Sequence, residues 1–186
     1  ERPLLNLLQR AYGIATATHG YVYAVAGTRC RILHTRKTAP GLRRFDVAAV
    51  LAGGGGLHRL GLDRVVMLKD NHWEALGGAA VLEQLVTDAR RRGAEAVQIE
   101  VERVDQAEAA CRAGADRLLI DNQPPDAFRT LAERARALRP EIELEATGGI
   151  TLENAAAYAA AGADFLSIGA LTHSVRAVDL TLELAV

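Results

Sequence analysis

The sequence predicts an α/β fold: a (β/α) barrel of about six parallel strands, whose closure the sequence leaves open. Three observations lead there. Short apolar, β-branched runs alternate with longer stretches of helical spacing. One unit recurs, "CRAGADRLLI" at 111–120 and "AAAGADFLSI" at 159–168, with a looser copy "RRGAEAVQI" at 91–99. The strands also carry polar residues at every second position.

Strands are predicted in order near 30–35 (CRILHT), 64–69 (RVVMLK), 95–101 (EAVQIEV), 117–121 (RLLID), 141–147 (EIELEAT) and 164–169 (DFLSIG). Helices fall between them, near 43–52, 77–92, 105–113, 126–138 and 152–161. In the longest, Leu82, Leu85, Val86 and Ala89 keep helical spacing. Asp105 followed by Glu108 reads as a capping box opening the helix near 105–113. Gly93, Gly114 and Gly162 stand where helices commonly end in a left-handed residue, with a strand close behind. Helix, Gly-Ala-acid and strand in repetition mean βα units with parallel strands.

Strand content separates a barrel from a flat doubly wound sheet. Parallel strands covered on both faces are usually apolar throughout. Here Gln98, Glu100 and Glu102 alternate with Val97, Ile99 and Val101, and Glu143, Glu145 and Thr147 with Ile142, Leu144 and Ala146. Successive side chains face opposite sides of a strand, so acids line one face. A polar face converging on an axis fits a barrel with an active site at its mouth. An antiparallel sheet with one wet face gives the same alternation but conflicts with a helix between every pair of strands.

The bulk numbers restrict function. With 186 residues the chain is long enough for one domain with a sizeable core. Hydrophobic residues make up 49% and charged residues 24%, as in ordinary globular proteins. The formal net charge of −1 gives no general attraction to nucleic acid or an anionic membrane, so any basic cluster is a local site. Cys30 and Cys111 stand far apart, which disfavours a disulfide framework or zinc site and suits a reducing cytoplasm. No apolar run approaches the roughly 20 residues that span a bilayer. No signal peptide is read, and the start at Glu1 without methionine predicts a domain of something longer.

Barrel sites are built at the C-terminal ends of strands. Those ends carry Arg36 and Lys37; Lys69 with Asp70, Asn71 and His72; Glu100 and Glu102; Asp121 and Asn122; Thr147, Gly148 and Gly149; and Gly169 and Ala170. Arg36, Lys37, His58, Arg59 and Lys69 form a cationic set, suited to carboxylate or phosphate. Glu100 and Asp121, on adjacent strands, suit Mg²⁺ or sugar hydroxyls. The glycine-bearing ends can present bare backbone N–H groups to a phosphate. Together they describe a phosphorylated sugar meeting an acidic small molecule. The run Gly53–Gly56 is a weak phosphate signal by itself, and Arg43-Arg44 and Arg90–Arg92 read as solvated helix faces. His19, His34 and His72 have structural readings at least as good as catalytic ones. Glu143 and Glu145 suit a salt-bridged barrel interior that holds the cations in position.

In order, "TRKTAPGLR", "GGGGLHRLGL", "LKDNH", "IEVE", "IDN", "EATGGIT" and "SIGALTHS" closely resemble the C-terminal domain of quinolinate phosphoribosyltransferases. The resemblance covers essentially the whole chain. It implies a leading helical segment over 1–27, a barrel over 28–172 and a C-terminal segment over 173–186, with the family's N-terminal α/β domain absent from this chain. It implies transfer of phosphoribose from phosphoribosyl pyrophosphate to quinolinate with Mg²⁺ and decarboxylation, giving nicotinate mononucleotide. Arg2, Thr35, Arg36, Lys37, His58 and Arg59 are then expected on the quinolinate carboxylates, and Lys69, Glu100 and Asp121 in catalysis. Glu100 and Asp121 are expected at ribose hydroxyls and Mg²⁺. Thr147, Gly148, Gly149, Ile168, Gly169, Ala170 and His173 are expected at the 5′-phosphate. A homodimer or higher oligomer with shared active sites, in the cytoplasm, is also implied. A molybdenum-transport-associated relative, a nicotinate-using transferase and a non-catalytic phosphate-binding barrel are the alternatives. The family usually has Asp where this chain has His34, Ser at Thr147 and Ser at Tyr12, and His34 bears on how the Arg36-Lys37 pair is held.

Overall fold

The computed structural model describes residues 1–183; residues 184–186 of the expected C-terminal segment, and the side chains of Asp70 and Glu74, lie outside what it describes. Six parallel strands form one sheet: β1 (Arg31–Leu33), β2 (Val65–Leu68), β3 (Ala96–Val101), β4 (Arg117–Asp121), β5 (Glu143–Thr147) and β6 (Phe165–Ser167). Their spatial order is β1-β6-β5-β4-β3-β2, so β1 and β2 flank an opening instead of pairing. The segment after the glycine run spans it. Gly56 N–H donates to the Ile32 carbonyl at 2.7 Å, and the Arg59 guanidinium reaches the Val65 carbonyl at 3.4 Å. The barrel is curved but unclosed.

Eight α-helices surround the sheet among the described residues: α1 (Arg2–Ala24), α2 (Arg43–Ala52), α3 (Asp70–Ala75), α4 (Leu82–Arg91), α5 (Val104–Arg112), α6 (Pro125–Leu138), α7 (Leu152–Ala160) and α8 (Ala170–His173). Val97, Ile99, Leu118, Ile120, Leu144 and Leu166 on the outer strand faces are buried against Ala107, Phe128, Ala132 and Ala155 of the helices. Each such large side chain contributes on the order of 1.5–3 kcal/mol. Phe128 and Tyr158 meet edge-to-face at 5.8 Å, linking α6 and α7.

The Gly-Ala-acid repeat has a mechanical explanation. Gly93, Gly114 and Gly162 have φ of 87°, 90° and 101°, the left-handed conformation that stops a helix. The alanine N–H then turns back onto the helix, as from Ala115 to the Ala110 carbonyl at 3.1 Å. The acid pins a neighbouring strand: Asp116 accepts Val97 N–H at 2.7 Å and Asp164 accepts Leu144 N–H at 2.8 Å.

Two sequence expectations need correction. The stretch 77–92 is a 3₁₀ turn (Gly78–Val81) followed by α4, because Gly77 and Gly78 adopt φ of 85° and 78°. The helix near 105–113 starts at Val104, with no Asp105–Glu108 box; Gln106 Oε1 instead accepts Arg103 N–H at 3.2 Å and Glu102 N–H at 2.9 Å. Asp105 lies within the first turn and pairs with Arg103 at 3.1 Å. The glycine run serves packing, since a Cβ on Gly53 would stand 2.4 Å from the Ala15 carbonyl of α1. Among the described residues no helix is long and apolar enough to cross a membrane.

Candidate active site

A cavity of about 620 Å³ opens at the C-terminal ends of the strands. One wall comes from the loop after β1. Leu42 N–H donates to the Ala39 carbonyl at 3.0 Å, and Gly41 has φ of 75°, so Ala39-Pro40-Gly41-Leu42 is a tight turn that Pro and Gly favour. That turn holds Arg36 and Lys37 at the rim. Arg36 Nε is buried without a hydrogen-bond partner, a costly state for a cationic donor facing no acceptor. Arg59 adds a second guanidinium, held by the Val65 carbonyl and by Met67 Sδ at 3.0 Å. Burial, reinforced by the charge of Arg36, lowers the Arg59 pKa from its ordinary value. This wall is short of negative charge.

The opposite wall is acidic. Lys69 Nζ pairs with Glu100 Oε2 at 2.5 Å, and Trp73 Nε1 fixes the Glu100 backbone carbonyl at 2.9 Å. Burial, and then the neighbouring Glu100 charge, raise the Asp121 pKa above the ordinary carboxylate range. Asn122 Nδ2 donates to Asp121 Oδ2 at 2.7 Å, from a residue held at φ 51°, uncommon for anything but glycine. Gly148 is what leaves room: a Cβ there would lie 2.1 Å from Asn122 Oδ1.

The floor between the walls is a buried polar cluster. Glu145 on β5 accepts from Ser167 Oγ at 2.6 Å and from Arg117 Nη1 at 2.9 Å, and it meets His58 Nε2 at 3.1 Å. Burial pushes the Glu145 carboxyl up, but the His58 hydrogen bond, Arg117 and Ser167 hold it below the usual range. Arg117 also lies 3.9 Å over the Phe165 ring, closing the barrel interior beneath the cavity.

Residues 14–183 match the family model described as "Quinolinate phosphoribosyl transferase, C-terminal domain". The chain belongs to this family. It is 42% identical to the carboxylating nicotinate-nucleotide pyrophosphorylase of Mycobacterium leprae, over 99% of this chain and 64% of that protein. The human protein of the same description is 39% identical, over 99% of this chain and 62% of its own length. The solved nicotinate-nucleotide pyrophosphorylase structure from Francisella tularensis superposes with a TM-score of 0.88 at 35% identity, covering 97% of this chain and 63% of that one. The chain thus spans a little under two thirds of these relatives.

Most residues expected from the resemblance to quinolinate phosphoribosyl transferase C-terminal domains line this one cavity. They include Thr35, Arg36, Lys37, His58, Arg59, Lys69, Glu100, Asp121, Thr147, Gly148, Gly149, Ile168, Gly169, Ala170 and His173. Arg2 does not; it is exposed in the first turn of α1. Glu102 is exposed and outside the lining, while His72 serves its own helix, its Nδ1 accepting Lys69 N–H at 2.8 Å. Gly169 is tight, since a Cβ would stand 3.1 Å from both Lys37 Cδ and the His173 ring. Sequence reasoning missed Met67 and Ser167, both in the lining. Their signal is register: Met67 lies two residues before Lys69, and Ser167 pairs with Thr147 across β5 and β6.

Proposed function

We propose that the protein carrying this chain transfers phosphoribose from phosphoribosyl pyrophosphate to the ring nitrogen of quinolinate, then releases carbon dioxide to leave nicotinate mononucleotide. The observation that carries this reading is the buried, unpartnered Arg36 Nε beside Arg59 and Lys37, opposite the Glu100–Asp121 pair. Two ring carboxylates match a cationic wall of three side chains better than one does. A planar carboxylate suits the arginine forks, and Lys37 adds a point charge.

The pyridine nitrogen lone pair forms the new bond to the anomeric carbon as the carbon–oxygen bond to pyrophosphate breaks. Positive charge grows on the ribose, and Glu100 and Asp121 are placed to stabilise it in a site already fixed before reaction. Lys69 holds Glu100 oriented. Loss of the carboxylate next to the nitrogen leaves an electron pair on the ring, next to a now cationic nitrogen, and a proton from solvent completes the product. The bare backbone at Gly148, Gly149 and Gly169 receives the 5′-phosphate.

Among the described residues no group of three or more His, Cys, Asp or Glu side chains gathers to hold a metal by itself. The raised Asp121 and its neighbour Glu100 nevertheless fit a cation completed by substrate oxygens and water, the usual way Mg²⁺ is held with phosphates. Mg²⁺ bound there would neutralise charge on the departing pyrophosphate.

A homodimer or higher oligomer with shared sites belongs to the same reading. Arg2 is exposed in the first turn of α1 and lies outside this chain's own cavity, which suits a place in a partner's, and α1 also exposes Leu4 (62%) and Tyr12 (56%), apolar surface for a partner to cover. Two buried free cysteines, with thiol pKa values pushed up to about 12 at Cys30 and about 11 at Cys111 by burial, suit the cytoplasm. The deciding experiment incubates the intact protein with quinolinate, phosphoribosyl pyrophosphate and Mg²⁺ and assays nicotinate mononucleotide. Turnover of nicotinate with none of quinolinate overturns the carboxylating assignment.

A further inference from the structure

His58 stands in the polar floor beside the cationic wall, and its ring is already fully engaged. Its side chain is 8% exposed and that of Glu145 1%. Nδ1 accepts the Arg59 N–H at 2.7 Å. A ring nitrogen that accepts carries no proton, so the proton of the neutral ring sits on Nε2. Nε2 donates to both Glu145 oxygens, at 3.1 and 3.2 Å. An imidazolium would set two N–H donors against each other at Nδ1. His58 is therefore a neutral ring with no donor left for a substrate carboxylate.

The backbone of His58 is held as well. Its N–H donates to His34 Nε2 at 3.0 Å. By the same logic His34 carries its proton on Nδ1, which points at the Thr35 carbonyl at 3.2 Å. The two rings meet edge-on, with centroids 6.4 Å apart. What position 34 must supply is an acceptor, which a ring nitrogen provides as an aspartate oxygen does. Glu145, fixed by Arg117 and Ser167, anchors the other end.

We propose that His58 is a positioning residue for Arg59, anchored by Glu145 at one ring nitrogen and by His34 at its backbone, and that it makes no contact with substrate itself. The array sets where the Arg59 backbone begins, and thus where its guanidinium meets a carboxylate. The effect on binding rests on the quinolinate reading above; the array itself does not.

Amide substitutions separate the two roles of the ring. Asn places an oxygen near Nδ1 and keeps an acceptor for Arg59; Gln places an amide nitrogen near Nε2 and keeps only the donor to Glu145. In the intact protein, His58→Gln is expected to raise KM for quinolinate about tenfold more than His58→Asn does. The KM for phosphoribosyl pyrophosphate should change less in both. The opposite order, or equal losses, assigns Nε2 to the ligand and overturns the proposal. Nitrogen chemical shifts of histidine-labelled protein give a second readout that needs no turnover. They should show His58 as the neutral Nε2–H tautomer and His34 as the Nδ1–H tautomer. A protonated His58, or a His58 Nδ1–H tautomer, overturns the proposal even if quinolinate proves not to be the substrate.

Discussion

Asp46 accepts two hydrogen bonds from the Arg10 guanidinium, at 2.8 Å from Nε and 2.7 Å from Nη2, with its own side chain wholly buried. The same carboxylate accepts Ala39 N–H at 3.0 Å. Arg10 Nη2 continues to the Thr172 carbonyl at 2.8 Å, and Thr172 Oγ1 returns to the Lys37 carbonyl at 2.8 Å. One ion pair thus ties α1, α2, α8 and the loop carrying Arg36 and Lys37. The hydrogen bond to Asp46 raises the Arg10 pKa against the opposing effect of burial. Asp46→Ala strands a partly buried guanidinium and an amide donor, and should cost about 3–5 kcal/mol in urea denaturation. It should also raise the KM for quinolinate as the loop loses its anchor. An unchanged unfolding midpoint would show that the clamp contributes nothing.

The cationic wall makes a ligand-specific prediction. Arg36→Ala or Lys37→Ala removes charge-assisted hydrogen bonds to carboxylate and should weaken quinolinate binding by about 1.5–3 kcal/mol. Phosphoribosyl pyrophosphate, which the proposed function assigns to the acidic wall and the glycine-bearing loops, should lose much less. Calorimetric titration of each ligand separates these outcomes, and equal losses show that the division of the cavity is wrong.

How much of this was legible in the sequence depends on how local each cause is. The helix at 43–52 and the strand at 117–121 have the bounds their patterns predict, because periodicity and flanking breakers are local signals. Alternating acids on β3 and β5 disclosed the polar interior, since side-chain direction follows from strand geometry alone. The six-residue helix at Asp70–Ala75 escaped, being too short to show a period beside the polar strand end. Arg10 and Asp46 stand 36 positions apart, and His58 and Glu145 stand 87 apart. No spacing rule joins such pairs; only the fold does. His34 is the sharpest case: the sequence shows an unexpected ring, and only the bond from His58 N–H shows its use.

Gly148 tests the acidic wall through backbone geometry. It sits at φ 78°, where an L-residue is strained, and a Cβ would collide with Asn122 Oδ1 at 2.1 Å. Asn122 is itself left-handed and bonds Asp121, so neither neighbour can yield freely. Gly148→Ala should cost about 1–3 kcal/mol of stability and displace the Asp121 carboxylate. The mutant should lose kcat and affinity for phosphoribosyl pyrophosphate with Mg²⁺ more than affinity for quinolinate. A fully active Gly148→Ala protein would falsify the fixed placement of Asp121.

His34 makes stability depend on pH. Burial lowers its pKa from the ordinary value of 6.5, with the Thr35 carbonyl opposing and the Arg43 charge adding to the fall. Between the lowered value and 6.5 the unfolded chain binds a proton that the folded ring refuses, so the unfolded state binds more protons. The stabilisation is therefore present above about pH 6.5 and is lost as pH falls toward the folded value. Glu145 has the same sign in a lower window: its depressed carboxyl stabilises above 4.5 and loses that as pH falls through its folded value. Asp121 has the opposite sign, since a raised carboxyl binds its proton more tightly when folded, and its contribution fades as pH rises. Of these three, only His34 has its ordinary pKa near neutrality. The thermal midpoint should decline from about pH 6.5 downward in the native sequence. His34→Gln, which keeps an acceptor for His58 N–H but cannot titrate, should flatten that decline. An equally steep decline in His34→Gln assigns the acid sensitivity to another group.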